Sequence, residues 1–216
     1  MKNLHLNTVS NNLLQTLNKL MQMEQFNPFR LVGGTALSLQ LGHRISVDID
    51  LFTDKLYGRV DFVAIDNLLE KTFPFTKMSY AGNDSFGKSY YIGDSRETSV
   101  KLDLCYTDEF IRPIVEKDFL RMASIEEIAA MKLEVIGNDG RKKDFWDIHE
   151  LLDYLSLEQM LALHAERYPY SHSKETLINK LVDFQVADDD VDPICLKGKY
   201  WELIKVDFSE IIQNAK

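Results

Sequence analysis

The stretch Leu31-Val32-Gly33-Gly34-Thr35-Ala36-Leu37, followed thirteen residues beyond Gly34 by Asp48-Ile49-Asp50, decides how this chain reads. Side chains alternate faces along a strand, so Val47, Ile49 and Leu51 would face one side while Asp48 and Asp50 project together from the other. Two carboxylates one strand repeat apart can share a divalent metal. Mg²⁺ prefers oxygen ligands, keeps some of its water and is usually completed by substrate phosphates. A bare Asp-x-Asp pair therefore suits Mg²⁺, or Mn²⁺, arriving with a nucleoside triphosphate. Gly33 and Gly34 close an apolar run and precede the helix-like Thr35–Leu41, where backbone amides with no Cβ in the way can approach phosphate oxygens. Each half alone has a plainer reading, turn chemistry for the glycines and a solvated strand face for the aspartates. Order, spacing and flanking hydrophobicity must all agree for the combination to arise.

Composition sets the outer bounds. With 216 residues, 45% hydrophobic and 27% charged, the chain can bury one substantial core, or a main domain with a helical appendage. No segment approaches the roughly 18 consecutive apolar residues of a membrane span, and Met1-Lys2-Asn3-Leu4-His5 lacks a signal-peptide pattern. A cytoplasmic location with no membrane partner is expected. Cys105 and Cys195 sit in apolar settings without a Cys-x-x-Cys pattern, which predicts buried free thiols. The net charge of −9 argues against a general nucleic-acid-binding surface and leaves room for local basic patches.

Hydrophobic periodicity predicts a helix near residues 8–23 through Leu13, Leu17, Leu20 and Met21, and another through Phe62, Ile65, Leu68 and Leu69. Strands are expected at Phe73-Pro74-Phe75, Ser89–Ile92 and Val100–Tyr106, with turns at Gly82-Asn83-Asp84 and Gly93-Asp94-Ser95. From Ser124 onward the pattern is helical, and Ala187–Pro193 is the best loop candidate there. The division expected is a core over 1–120 and a helical carboxy-terminal region over 121–216 that completes the site. The fold class is α+β, a small mixed sheet flanked by helices.

Further charged residues stand where simple amphipathic elements should not have them. Asp103 alternates with Val100, Leu102 and Leu104, so it is either a third carboxylate beside the metal pair or an exposed partner of Lys101. Ser124-Ile125-Glu126-Glu127 opens a helix as a capping box. Lys132 falls within that helix's apolar arc, so its ammonium either snorkels to the domain edge or points into the cleft. In the next helix the arc of Phe145, Ile148, Leu151, Leu152 and Leu155 has Asp144 at its edge and Asp147 pointing further away. Asp144 can serve simply as a first-turn carboxylate that complements the helix dipole. His43 and His149 have no metal-ligand spacing, which makes zinc improbable. Tyr90-Tyr91 and Tyr168-Pro169-Tyr170 can stack on a base, although packing is the plainer role.

The Gly-Gly-(thirteen residues)-Asp-Ile-Asp pattern resembles the polymerase-beta-like nucleotidyltransferase superfamily. The fuller string, Gly33–Leu37 followed by His43–Phe52, resembles the AbiEii/AbiGii toxin family, over roughly residues 30–155. Arg141-Lys142-Lys143-Asp144-Phe145-Trp146-Asp147-Ile148 is similar to that family's Arg-x-Lys-Asp-(aromatic)-(aromatic)-Asp-(aliphatic) motif. The resemblance implies transfer of a nucleoside monophosphate from a triphosphate to a hydroxyl. In that scheme Asp48, Asp50 and Asp103 serve the metal, Gly33, Gly34, Thr35, Arg44, Ser46 and Lys132 the nucleotide, and Asp144 orients or deprotonates the acceptor; Arg44 reads equally well as a surface ion pair. It also suggests an RNA acceptor, particularly a tRNA 3′ end, and a cognate antitoxin as partner. The basic docking surface expected for RNA is Arg141, Lys142 and Lys143. A small-molecule nucleotidyltransferase of the antibiotic-modifying sort, and a non-catalytic partner-binding module of the same fold, are the rival classes.

Overall fold

The computed structural model describes residues 3–80 and 86–214. Its strands are β1 (Arg30–Leu31), β2 (Asp48–Thr53), β3 (Phe75–Tyr80), β4 (Gly87–Gly93), β5 (Val100–Tyr106), β6 (Val115–Lys117) and β7 (Leu120–Met122). Among the described residues they form one mixed sheet in the order β3-β4-β5-β2-β1-β7-β6. Strand β2 runs antiparallel to β1 and parallel to β5, so the Asp-Ile-Asp segment lies at the centre of the sheet. The helices are α1 (Asn11–Met21), α2 (Gly33–Leu41), α3 (Phe62–Thr72), α4 (Ile125–Gly137), α5 (Lys142–Leu151), α6 (Leu157–Arg167), α7 (Lys174–Lys180), α8 (Gln185–Asp188) and α9 (Trp201–Asn214). This is the α+β architecture expected of the sequence.

Alternation in the central strands separates a buried face from an open one. Ile49 and Leu51 of β2, and Val100, Leu102 and Leu104 of β5, are buried in the core that α1 and α3 help to close. Asp48, Asp50, Lys101, Asp103 and Cys105 lie on the other face and are only half-buried. In α1, Leu13, Leu17, Leu20 and Met21 are buried as their spacing requires, and Ser10 Oγ accepts from Leu13 N to fix the helix start. In the carboxy-terminal half α4 is central, packing against α2, α5, α6 and α7. A late segment also reaches back to the early chain. Ile45 N donates to Ile194 O, Leu196 N donates to His43 O, and Arg44 forms a β-bridge with Cys195.

Several local expectations are corrected. The helix near 8–23 begins at Asn11, after a 3₁₀ turn at Leu6–Thr8, and ends at Met21. Val47 precedes β2 and is 67% exposed, so it does not share the buried face of Ile49 and Leu51. Phe73 caps α3 and Pro74 separates it from β3, which starts only at Phe75. The strand reading there fails because proline cannot donate to a ladder. The loop expected at Ala187–Pro193 starts two residues late, since α8 runs to Asp188. Cys105 and Cys195 are free but half-buried. The turn expected at Gly82-Asn83-Asp84 lies outside the described residues. Strands β6 and β7 were not anticipated. They form a hairpin of three-residue strands, the second beginning at Leu120, turning through Asp118 at φ 50° and Phe119 at φ 69°.

Positive φ at both central positions of a hairpin turn usually calls for Gly or Asn, and an aromatic there carries strain of about 1–2 kcal/mol. Phe119 is 81% exposed and contributes little packing to offset it. Phe119→Gly is therefore expected to raise the free energy of unfolding by about 0.5–1 kcal/mol, the strain relief net of glycine's greater unfolded-state entropy. Urea denaturation of the two proteins measures the difference.

Candidate functional site

Strand β1 leads directly into the glycines, and Val32 N donates to Asp50 O so that the turn into α2 is held beside β2. Gly33 adopts φ +65°, and a Cβ there would stand 2.8 Å from Asp50 Oδ2. Only glycine combines that backbone with so close a carboxylate. The first amides of α2, which a helix leaves without internal partners, thus open next to Asp48 and Asp50. Thr35 is placed differently from the expected nucleotide-contacting position. Its hydroxyl is wholly buried and reaches Ser46 Oγ at 2.8 Å and Asp48 O at 2.5 Å, so it ties α2 to the start of β2.

Asp50 and Asp103 are direct register partners across the parallel β2–β5 pair, with Asp48 two residues away on the same face. Asp103 Oδ1 accepts from Ser89 Oγ at 2.5 Å, and its Oδ2 meets Lys101 Nζ at 2.6 Å. Asp103 is thus paired with Lys101, half-buried where an exposed partner was the alternative, and it stands beside Asp50 across the strand pair. Burial, then the charges of Asp103 and Asp48, push the Asp50 carboxyl up to about 6. Crowded carboxylates of this kind are what a divalent cation relieves. Among the described residues no three His, Cys, Asp or Glu side chains already converge as a metal cage. The donor set fits a cation held by Asp48 and Asp50 and completed by water and phosphate oxygens, as Mg²⁺ prefers.

The facing wall comes from α4 and α5. Lys132 does not snorkel. It is buried, with Nζ 2.6 Å from Asp144 Oδ1 and 2.7 Å from Asp147 Oδ2. Burial alone would lower its pKa, but Asp147 and Asp144 more than offset this and hold it above the ordinary lysine value. Asp144 also accepts from Arg141 N at 3.0 Å, capping α5.

Asp147, expected to point away, is 0% exposed and gathers the buried charges. Arg44 grips it with Nε at 2.7 Å and Nη2 at 2.8 Å, and His43 Nε2 lies 2.8 Å from Oδ1. Burial opposes its charge, yet Arg44, Lys132 and His43 hold Asp147 well below the ordinary carboxylate range. A helical wheel drawn through apolar residues missed it because a buried ion group occupies the face that such a wheel assigns to solvent. Its spacing was the available signal, one turn after Asp144 on the side of Lys132. Arg44 is likewise buried, and a Cβ on Gly34 would overlap its guanidinium, which Asp147 prevents from moving aside.

Between these walls lies a cleft of about 340 Å³, lined by Gly33, Gly34, Arg44, Ser46, Asp48, Asp50, Lys132 and Asp144 together. That volume is at the lower end for a small-molecule site. Phe52, Ile128, Met131, Val135 and Tyr168 give it an apolar side. Asp103 stands beside the cleft across β2, and Thr35 stands behind it. Lys143, expected at an RNA-docking surface, lines the cleft 3.9 Å from Asp48. Lys142 turns the other way, buried and bonded to Asp192 and to Asp188 O, so the continuous patch of Arg141, Lys142 and Lys143 does not form. Among the described residues no helix is long and apolar enough to cross a membrane.

Comparison with known proteins gives the family and the fold. A family model described as nucleotidyl transferase AbiEii toxin, Type IV TA system, matches residues 15–210. An uncharacterized protein of Aquifex aeolicus (strain VF5) is 26% identical over 219 residues, covering 93% of this chain and 94% of its own. Among solved structures, the nucleotidyltransferase toxin MenT4 of Mycobacterium tuberculosis H37Rv aligns with a TM-score of 0.63 at 13% identity, covering 94% of this chain and 82% of the other. JHP933 of Helicobacter pylori aligns at 0.56 and 20% identity, covering 95% and 92%. At such identities the structural likeness concerns the fold.

Two stability measurements check the electrostatics. Asp147→Asn leaves Arg44 and Lys132 without their shared counter-charge and should cost about 3–5 kcal/mol. The native Asp147 contribution is present above the unfolded carboxylate pKa of about 4 and is lost as pH falls. The variant's stability should therefore fall less steeply in acid. Asp50 has the opposite sign: its raised folded pKa favours the native state below about pH 4, an advantage lost as pH rises through about 6. Asp50→Asn should stabilise the metal-free protein by about 1–3 kcal/mol at pH 7.5 and by little at pH 3.5, read by denaturation in chelator.

Proposed function

Because the chain belongs to the AbiEii nucleotidyltransferase toxin family, we propose that it transfers a nucleoside monophosphate from a nucleoside triphosphate to an acceptor hydroxyl. The observation that carries this reading is the alignment of Asp50 with Asp103, beside Asp48, on one sheet face against the glycine turn into α2. The triphosphate lies in the cleft, where the α2 amides and the Lys132 and Lys143 ammonium groups meet its phosphate charge. Arg44 and Ser46 line the same end. The acceptor oxygen bonds to the α-phosphorus, the bond to the bridging oxygen breaks, and pyrophosphate leaves with that electron pair. Asp103 receives the hydroxyl proton.

Asp48 and Asp50 would hold Mg²⁺ or Mn²⁺, with Asp103 the third carboxylate beside them. Such an ion neutralises developing phosphate charge and aligns attacking and leaving oxygens. Asp144 acts as a positioning residue, holding the Lys132 ammonium toward the triphosphate. Thr35 acts at one remove, fixing the strand that bears Asp48. We assign the acceptor as the 3′ end of an RNA, tRNA included, and the protein as the toxin of a pair with a cognate antitoxin, the latter in keeping with the matched family's description as the toxin of a Type IV TA system.

The decisive assay is incubation with each α-labelled nucleoside triphosphate, Mg²⁺ and total RNA. Label should enter RNA with release of pyrophosphate, and chelation of the metal should stop it. Asp48→Asn and Asp50→Asn should each lower turnover by about a thousandfold while unfolding remains cooperative. Near-normal turnover in either folded variant would remove the metal-pair assignment. Transfer to a small cationic compound and not to RNA would favour the antibiotic-type reading. Triphosphate binding with no transfer to either would favour a binding module.

A further inference from the structure

The sheet face that bears the three carboxylates continues past them. Registers across β3–β4, β4–β5 and β5–β2 place Lys77, Tyr91, Lys101 and Asp48 in one cross-strand row. Residues paired across strands project to the same side, and strands lie about 4.8 Å apart, so the row runs about 14 Å from Asp48 to the edge strand β3. The opposite side of these strands, with Tyr90, Ile92, Leu102 and Leu104, is buried. The row itself is open. Tyr91 is 39% exposed, Lys77 is exposed, and among the described residues Lys77 makes no ion pair.

An aromatic ring between two ammonium groups, in a chain of net charge −9, is a local departure from the surrounding acidity. Outward of Lys101 the row holds no carboxylate. Single-stranded nucleic acid is bound by this combination, since every base offers a face for stacking while cations follow the phosphates. Continuity with the cleft adds direction: a strand lying along the row ends at Asp48 and Asp50. Charge complementarity and that continuity favour RNA over a protein partner, for which the row offers a single apolar group.

We propose that the Lys77–Tyr91–Lys101 row binds the terminal segment of a single-stranded RNA acceptor, with Tyr91 stacked on a base and the lysines against flanking phosphates. This rests on the nucleotidyl-transfer reading for its direction, and it replaces the docking patch that the burial of Lys142 removes. Lys101 also holds Asp103, so it belongs to the carboxylate site as well and is left intact in the test.

The test is fluorescence anisotropy with a short, unstructured, labelled RNA, in parallel with calorimetric binding of the triphosphate and the RNA-labelling assay. Tyr91→Ala is expected to weaken RNA binding about tenfold, whereas Tyr91→Phe retains it. Lys77→Glu should weaken it further and lower the slope of log affinity against log salt by about 0.7 or more. Triphosphate binding should be unchanged in all three. A lysine present only to guard the sheet edge, or a tyrosine present only for strand propensity, would leave RNA affinity and labelling untouched, which overturns the proposal. A protein partner protecting this face while RNA affinity stays unchanged in the variants overturns it as well. Row-dependent RNA binding without any transfer would sustain the row and sink the reaction. Transfer to RNA that ignores Lys77 and Tyr91 would do the reverse.

Discussion

A carboxylate with no access to water, Asp147, is bound by a guanidinium, an ammonium and an imidazole, and the geometry of the site depends on it. Removing one ion from water costs several kcal/mol, so such a group persists only where its partners are close and well directed. Here three lie within 2.8 Å. The carboxylate can only accept, so His43 carries its proton on Nε2. One residue on α5 thereby fixes a side chain on α4 and two in the segment after α2. Gly34 must lack a Cβ because Arg44 cannot yield, and Lys132 faces the cleft from a fixed position because two carboxylates hold its ammonium.

The opposite wall is arranged by repulsion. Asp50 is half-buried between two other acids, and the free protein carries that unfavourable crowding. Gly33, by lacking a Cβ, lets Asp50 stand against the turn, and a proton or a cation relieves the crowding there. The same wall presents the amide end of α2, which favours negative charge on whatever enters. Carboxylates that want a cation and amides that want an anion, a few ångströms apart, favour a ligand that brings both.

The central strand and the glycine turn were legible in the sequence because each obeys a short-range rule. The two-residue alternation of Asp48 and Asp50 survives any tertiary arrangement, as does the backbone freedom of Gly33. Asp103 was legible for the same reason. The failures have a common physical source, which is that buried polar groups depend on distant partners. The hydroxyl of Thr35 and the guanidinium of Arg44 have protein partners, Asp48 O and Asp147, that only folding brings to them. Asp147 looked solvated because it falls off the apolar arc of its helix, and Lys142 looked free because its partner Asp192 lies fifty residues away. The β6–β7 hairpin escaped notice since its turn holds Phe119 where glycine would have marked it.

The bridge between Arg44 and Cys195 has a consequence for how the protein comes into being. Synthesis is directional, and domains begin folding from the amino-terminal side as they emerge. The glycines, the three aspartates and even Lys132 and Asp147 are in hand well before residues 194–196 leave the ribosome, but the segment bearing His43, Arg44 and Ile45 has no strand to pair with until then. A loop of about 150 residues must close to supply it, a non-local contact that cannot form before residue 195 has been made. The nascent chain would carry every charged group of its cleft while the backbone of residues 43–45 still lacks the partner that pairs with it.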